Sequence, residues 1–516
     1  MNIRVGTIGC TPGWEELLRQ EGVPFVDIVP SDLPPGGVSV VVVCRPLTRV
    51  ETSWLKEHLR EGGGLVGDGR FLNGIAAMAE SEMRMRFLVP DDHPVARGMS
   101  LMDIETMGRL PREANCCRTH ENSFAIFAGE LLGGVAVVLP FDPGNVMQDF
   151  RASERYFYAD PERLPSERVS RVAKGEVLHL VHSSLAYVHH MRGIPYARLS
   201  PMPAGCKNVF AFRIDTDKGT REEIDALDAI AGEYRMAFSW FLDVKSHEEW
   251  LSRFRAMEGQ EIGLHCYEHR VYLDALKDGA NIRRGIAAMK AAGLVPRSYA
   301  APFGFWSPDL ARIVDEWGFD YSSEFSWAYD TFPHFPVMEG VRLKTLQVPI
   351  HPVSIGSLRQ VGFSTAQMKE YYDGVIEMKI RRGDPLFFYH HPGHREWDVV
   401  RSICARAQGD GIRSMTLAGY ASWWKRRASL LPELSVEGGV LTARCGGGEA
   451  GSEVAVLITR QAGEEAEVGL GTTALEKVGW RGMETYHPPA EIRRTREFDL
   501  RGEIGRQFTR LQRRFM

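Results

Sequence analysis

The chain has 516 residues, a formal net charge of -5, 44% hydrophobic residues and 25% charged residues. At ~150 residues per domain, this length implies about three folding units, with enough apolar material for their cores. The mildly acidic balance excludes a global positive field for nucleic acid, and eight scattered cysteines without a CxxC pair read as reduced thiols rather than a disulfide framework. The opening MNIRVGTIGC lacks a basic stretch followed by an apolar one. The most apolar run, residues 38–44, is far too short to span a bilayer. A cytoplasmic protein with no transmembrane segment is the expectation.

Strand and helix patterns alternate from the start. Residues 3–8, 25–29 and 38–43 read as strands, 14–20 and 48–60 as helices, and 65–67 open a further strand. Such repetition predicts a doubly wound parallel sheet. This stretch, with DDHPVARG (91–98) and GGVAVVLPF (133–141), resembles the glutamine-amidotransferase-like family. Glutaminases of that family carry a nucleophilic cysteine on a tight, glycine-flanked turn. Here Cys10 and Cys44 lie in a different setting, and Cys116 and Cys117 have no glycine frame. A non-catalytic accessory domain over residues 1–200 is therefore expected, with no Cys–His pair within hydrogen-bonding reach. A polar, aromatic excursion over 146–172 precedes a strand and helix over 178–189 and a proline-rich linker over 194–205.

Between residues 205 and 430 the rhythm resumes. Strands are expected at 209–214, 236–241, 261–265, 297–301, 321–324, 346–350, 385–390 and 413–416, with helices such as 220–234, 272–292 and 364–381 between them. This series fits a (β/α) barrel with reactive residues at the C-terminal strand ends. Beyond 431, short strand-like runs separated by glycine predict a small β-rich unit, and the Arg-rich stretch 493–514 predicts a solvated terminal helix. The expected class is α/β: a doubly wound sheet, a central barrel and a β-rich C-terminal unit.

Five stretches in the central region carry the chemistry: IDTD (214–217), HCYEH (265–269), APFG (301–304), DYSS (320–323) and YHHPGH (389–394). Asp215 and Asp217 share a strand face, so one can bind a cation while the other takes a proton from water. His265 and His269 point the same way if one helical turn joins them, and with Asp217 they make a three-ligand site with open positions. Pro302, Phe303 and Gly304 form a stiff aromatic loop, and Trp306 and Trp327 add rings suited to a sugar face. Strand alternation lets only one of His390 and His391 face the site, as a general acid for a leaving nitrogen. His394 reads as a loop residue.

In order and spacing, these stretches resemble the polysaccharide deacetylase family, the NodB-homology or carbohydrate esterase family 4 fold, over about 208–430. The resemblance implies Asp215 as base, Asp217, His265 and His269 as metal ligands, and His391 as acid. Cys266 replaces the usual hydroxyl of the second motif, and Ala300 stands where the third motif carries an arginine that tethers the base. Arg213, on the face of Asp215, can supply the missing guanidinium. The implied activity is a metal-dependent de-N-acetylase acting on an N-acetylated sugar or glycan precursor. Zn2+ is the first candidate, then Co2+, Ni2+ or Mn2+. Hydrolysis of a cyclic amide or ureide on the same fold is the second reading, and a non-catalytic glycan-binding or scaffold module the third. Self-association stays open.

Overall fold

The structure, a computed structural model, describes residues 2–29, 37–72, 74–75, 79–159, 163–446, 451–484 and 486–496. The first unit begins with β1 (Val5–Ile8), α1 (Pro12–Glu21), β2 (Phe25–Asp27), β3 (Val40–Val43), α2 (Arg49–Arg60) and β4 (Gly64–Asp68). Local chemistry sets the helix ends. The Thr11 hydroxyl caps α1 ahead of Pro12, and a reciprocal Thr48–Glu51 capping box opens α2. Then come β5 (Ala79–Val89), β6 (Met102–Pro111), β7 (Cys116–Thr119), β8 (Phe124–Leu131) and β9 (Gly134–Leu139). The nine strands form one sheet in the order β2-β1-β3-β4-β9-β8-β7-β5-β6. From β2 to β9 the ladder is parallel, as expected, whereas β8, β7, β5 and β6 extend it antiparallel.

After the short α3 (Pro143–Val146), the expected excursion is a hairpin of β10 (Ala152–Tyr156) and β11 (Ser166–Ser170). It touches the central unit, where Ser170 donates its N–H to the Phe325 carbonyl at 3.3 Å. The segment expected as strand and helix is one helix, α4 (Lys174–Met191). The segment expected as a linker contains β12 (Tyr196–Leu199), which pairs with a strand of the C-terminal unit. Its prolines flank the strand and leave its ladder N–H groups intact.

The central unit runs through β13 (Val209–Asp215), α5 (Arg221–Glu233), β14 (Ser239–Asp243), α6 (Val244–His247), β15 (Glu261–Cys266), α7 (Ala275–Ala291), β16 (Ser298–Tyr299), α8 (Pro308–Glu316) and β17 (Tyr321–Ser322). A small hairpin, β18 (Val337–Met338) and β19 (Val341–Arg342), precedes β20 (Leu346–Gln347), α9 (Ile355–Gln360), α10 (Thr365–Arg382), β21 (Leu386–His390), α11 (Trp397–Gly409), β22 (Arg413–Ser414) and α12 (Leu417–Ser429). Seven parallel strands curl in the order β20-β17-β16-β15-β14-β13-β21, with β22 beside the start of β13. The expected (β/α) barrel takes the form of a curled half-barrel: among the described residues no ladder joins β20 to β21. Strand alternation divides its core. Phe210, Phe212 and Ile214 face the helices, whereas Val209 and Ala211 face the interior, in one apolar core with the first unit.

The C-terminal unit has two small sheets. In one, β23 (Leu431–Glu437) and β24 (Val440–Gly446) pair with β27 (Gly471–Ala474). In the other, β25 (Ala455–Arg460) and β26 (Glu464–Gly469) join β12 and β28 (Arg481–Gly482). Residues 490–496 form a 3-10 turn, and the rest of the expected terminal helix lies outside the described residues. No helix among the described residues is long and apolar enough to cross a membrane.

Candidate active site

The inner face of β13 carries Arg213 and then Asp215, both buried. The Arg213 guanidinium donates from Nε to Asp215 Oδ1 at 2.7 Å and from Nη2 to Oδ2 at 2.6 Å. Its Nη1 donates to the Ser323 carbonyl at 2.5 Å and to Ser323 Oγ at 3.1 Å. The rings of Phe241 and Tyr389 lie 5.4 and 5.6 Å from the guanidinium carbon. Burial pushes the Asp215 carboxyl up, but Arg213 and His265 outweigh it and hold the group below the ordinary carboxylate range. The base candidate therefore stays ionised.

The turn after β13 returns Asp217 to the same mouth. Thr216 Oγ1 accepts the Asp243 N–H at 2.9 Å and lies 2.8 Å from His247 Nε2. Gly219 abuts Pro392, and a Cβ there would come within 2.9 Å of the proline Cβ, so the turn needs glycine. Asp217 Oδ1 then lies 3.1 Å from His265 Nε2, and Oδ2 lies 3.1 Å from His269 Nε2. His265 sits inside β15, but residues 267–269 form a bend, not the helical turn expected between the two histidines. Even so, their rings lie 5.0 Å apart.

The donor set suits a divalent cation. One atom from each of Asp217, His265 and His269 lies within 4.8 Å of the others. Asp217 Oδ1, His265 Nε2 and His269 Nε2 are buried and lack hydrogen-bond partners. The His265 Nδ1–H donates to the Ala300 carbonyl at 2.6 Å, which leaves the Nε2 lone pair for a ligand bond.

His391 Nε2 lies 3.5 Å from Asp217 Oδ2 and 4.0 Å from Asp215 Oδ2. His390 turns the other way, its Nε2 2.9 Å from the Arg395 carbonyl, and burial lowers its pKa to about 3. His394 is not bland: its ring stands 5.1 Å from that of His391 and fills the space over Gly356, and burial lowers its pKa to about 4.

Pro302–Gly304 forms a tight 3-10 turn beside the mouth. Phe303 is held in the left-handed region at φ 61°, its ring 66% exposed and 4.8 Å from that of His269. The neighbouring Gly304, at φ 56°, leaves no room for a side chain against Phe325. Trp306 and Trp327 differ from expectation. They are 4% and 1% exposed, pack ring to ring at 4.4 Å, and Trp327 donates Nε1–H to His334. Their faces are occupied by protein, and Phe303 is the open aromatic surface. In DYSS, Ser323 reaches the site through Arg213, whereas Asp320 pairs with Arg297 and Lys425.

Three supporting residues escaped the sequence reading. Glu324 accepts the Ala301 N–H at 3.0 Å and the Ser322 hydroxyl at 2.8 Å, which anchors the Phe303 loop. Asp243 accepts from the Ser246 hydroxyl, and the Cys266 thiol points at it from 3.7 Å. Cys266 therefore keeps a polar partner despite the missing hydroxyl. His247 braces Thr216. The ending of SWFLD, a carboxylate closing a strand as Asp215 does, was the available signal for Asp243.

The first unit holds one titratable cluster, His93 with Cys116 and Cys117. The proximity of Cys116 raises the His93 pKa. The Cys117 thiol and His93 draw Cys116 down to about 7. Cys116 is nevertheless fully buried, on antiparallel β7 rather than on a glycine-flanked turn at a parallel strand end.

No family model and no curated protein matches the chain. Solved structures resemble part of it. A protein described as a polysaccharide deacetylase, from Mycobacterium smegmatis, is 19% identical with a TM-score of 0.37, over 43% of this chain and 92% of its own. Puue allantoinase is 15% identical with a TM-score of 0.38, over 43% and 91%. A family 4 carbohydrate esterase from Streptomyces lividans, in complex with acetate, is 15% identical with a TM-score of 0.30, over 41% and 93%.

Proposed function

We propose that the chain is a divalent-metal-dependent hydrolase that removes the N-acetyl group of an amino sugar or glycan precursor and releases acetate. One observation carries the reading. Three unpartnered ligand atoms, from Asp217, His265 and His269, converge beside a carboxylate kept ionised by Arg213. When bound, the cation supplies Lewis-acid polarisation of the acetyl carbonyl and lowers the pKa of water. Asp215 accepts the proton of the attacking water, and Arg213 holds its carboxylate in place. His391, across the mouth from Asp215, gives a proton to the departing amine. The Phe303 backbone N–H is the candidate to receive the oxyanion, and the exposed Phe303 ring offers an apolar face to the sugar.

The relocated arginine also suits ring opening of a cyclic ureide, since Ala300 contributes only its carbonyl where the deacetylase pattern carries a side chain. The deciding experiment loads the protein with Zn2+ and measures acetate release from N-acetylated amino sugars beside ring opening of cyclic ureides. Acetate release abolished by Asp215→Asn supports the deacetylase reading. Ureide turnover alone would replace it, and neither activity in cation-loaded protein would favour a binding module.

A further inference from the structure

A cleft of about 560 Å³ lies away from the metal ligands, where the first unit, the outer side of the half-barrel and the C-terminal segment meet. None of Asp215, Asp217, His265, His269 or His391 lines it. Its wall holds an ordered polar relay. Asp330 takes His351 Nδ1 at 2.9 and 3.1 Å, and His351 Nε2 lies 2.9 Å from the Tyr371 hydroxyl. The buried Lys379 ammonium sits 2.7 Å from Asp330 Oδ1. Asp330 itself has φ 44°, a left-handed conformation that costs a non-glycine residue energy and collects at functional positions.

The relay states what it can bind. A carboxylate on Nδ1 fixes the imidazole proton there, so Nε2 accepts the Tyr371 O–H. The phenol oxygen keeps lone pairs for a ligand, which must bring a donor: a hydroxyl or an amide N–H, and not a phosphate or carboxylate. The buried charged groups of the wall are already matched, and the exposed Glu370 carboxylate disfavours an anion. Besides Asp330–Lys379, Glu176 holds Arg382 at 2.8 Å and Asp103 holds Arg496 at 2.7 Å. A charged ligand would have to break a buried pair, at high cost. Aromatic and aliphatic side chains supply the remaining surface: Phe157 stands edge-on to Tyr329 at 5.8 Å, Tyr486 lies beneath Arg382 at 5.7 Å, and Leu101, Val375 and Met378 add apolar contacts. Hydroxyl donors combined with apolar faces are the properties of a neutral sugar ring.

We propose that this cleft is a second, non-catalytic site that binds an uncharged saccharide through a hydroxyl or amide donor to Tyr371 and stacking on the surrounding rings. The test uses calorimetry on the full chain with the His269→Ala background, so that acetate release does not enter; the cleft variants below separate binding there from binding at the metal centre. The probes are the N-acetylglucosamine trimer, cellotriose and, as the anionic control, glucosamine 6-phosphate. At least one neutral trisaccharide is expected to bind and the phosphate not to. Tyr371→Phe, which removes only the hydroxyl, should weaken that binding about tenfold. Tyr486→Ala, elsewhere in the lining, should weaken it as well and serves if the first variant fails to fold. No binding of either trisaccharide, preference for the phosphate, or affinity unchanged in both variants would overturn the proposal. Each of those results leaves the metal-centre reading standing, because acetate release by the unaltered protein is measured separately.

Discussion

Arg213 and Asp215, two residues apart on one strand, meet in a two-point ion pair closed by bonds of 2.7 and 2.6 Å. Strand alternation points both inward, and the planar guanidinium matches the carboxylate edge to edge. Arg213→Met should leave Asp215 unheld, raise the pKa of the buried base and lower turnover on the order of 10²-fold, with cation content unchanged. Arg213→Lys, which keeps the charge but loses the fork, controls for folding and should fall between. Wild-type turnover in folded Arg213→Met would remove this residue from the mechanism.

The cation prediction concerns ligands alone. His269→Ala deletes one of three protein donors, so dialysed protein should lose most of its Zn2+ by elemental analysis. Full occupancy in the variant would send the ligand assignment elsewhere.

Acid and base roles separate by variant. Asp215→Asn should retain the cation and lose about 10²- to 10⁴-fold in turnover, because an amide cannot accept the water proton. His391→Ala should lose a similar factor. His390→Ala, whose ring faces away towards the Arg395 carbonyl, should chiefly loosen the loop and lower the melting temperature. Equal losses of turnover from the two histidine variants, at equal stability, would contradict the placement of His391 as the acid.

The aromatic residues divide between binding and packing. Trp327 is 1% exposed, so Trp327→Ala should destabilise the fold by about 3–5 kcal/mol. Phe303 is 66% exposed, so Phe303→Ala should leave the melting temperature nearly unchanged and raise KM. A KM effect without a stability effect at Trp327 would restore it as a binding residue.

Glu21 ties α1 to α4 and β12 through His182, Arg198 and Tyr196. Burial pushes its carboxyl up, but Arg198 and His182 outweigh this and hold it at about 2, against an ordinary 4.5. A depressed folded pKa stabilises above the unfolded value and is lost as the pH falls from 4.5 towards 2. The contribution is on the order of 3 kcal/mol. Denaturant unfolding of Glu21→Gln at pH 7 and pH 3 should show a smaller difference than the parent chain does. An unchanged difference would assign the acid sensitivity to other carboxylates.

Periodicity and local chemistry were legible without a structure. The alternating pattern of VFAFRID put Arg213 and Asp215 on one face, and the order of the short histidine and aspartate stretches placed them at one end of a parallel sheet. Capping residues such as Thr48 with Glu51 and Thr220 with Glu223 marked helix starts by bonds a few residues long. Contacts between distant segments were not legible. Only the folded chain shows that Trp306 and Trp327 cover each other, that Glu324 fastens the Phe303 loop, or that residues 196–199 leave the expected linker to join the C-terminal sheet. The sequence by itself determined which way strand residues face, because that follows from the two-residue repeat of a single chain. The tertiary structure alone decided which of these faces stay open to a ligand, because burial depends on packing between segments that are far apart in the chain.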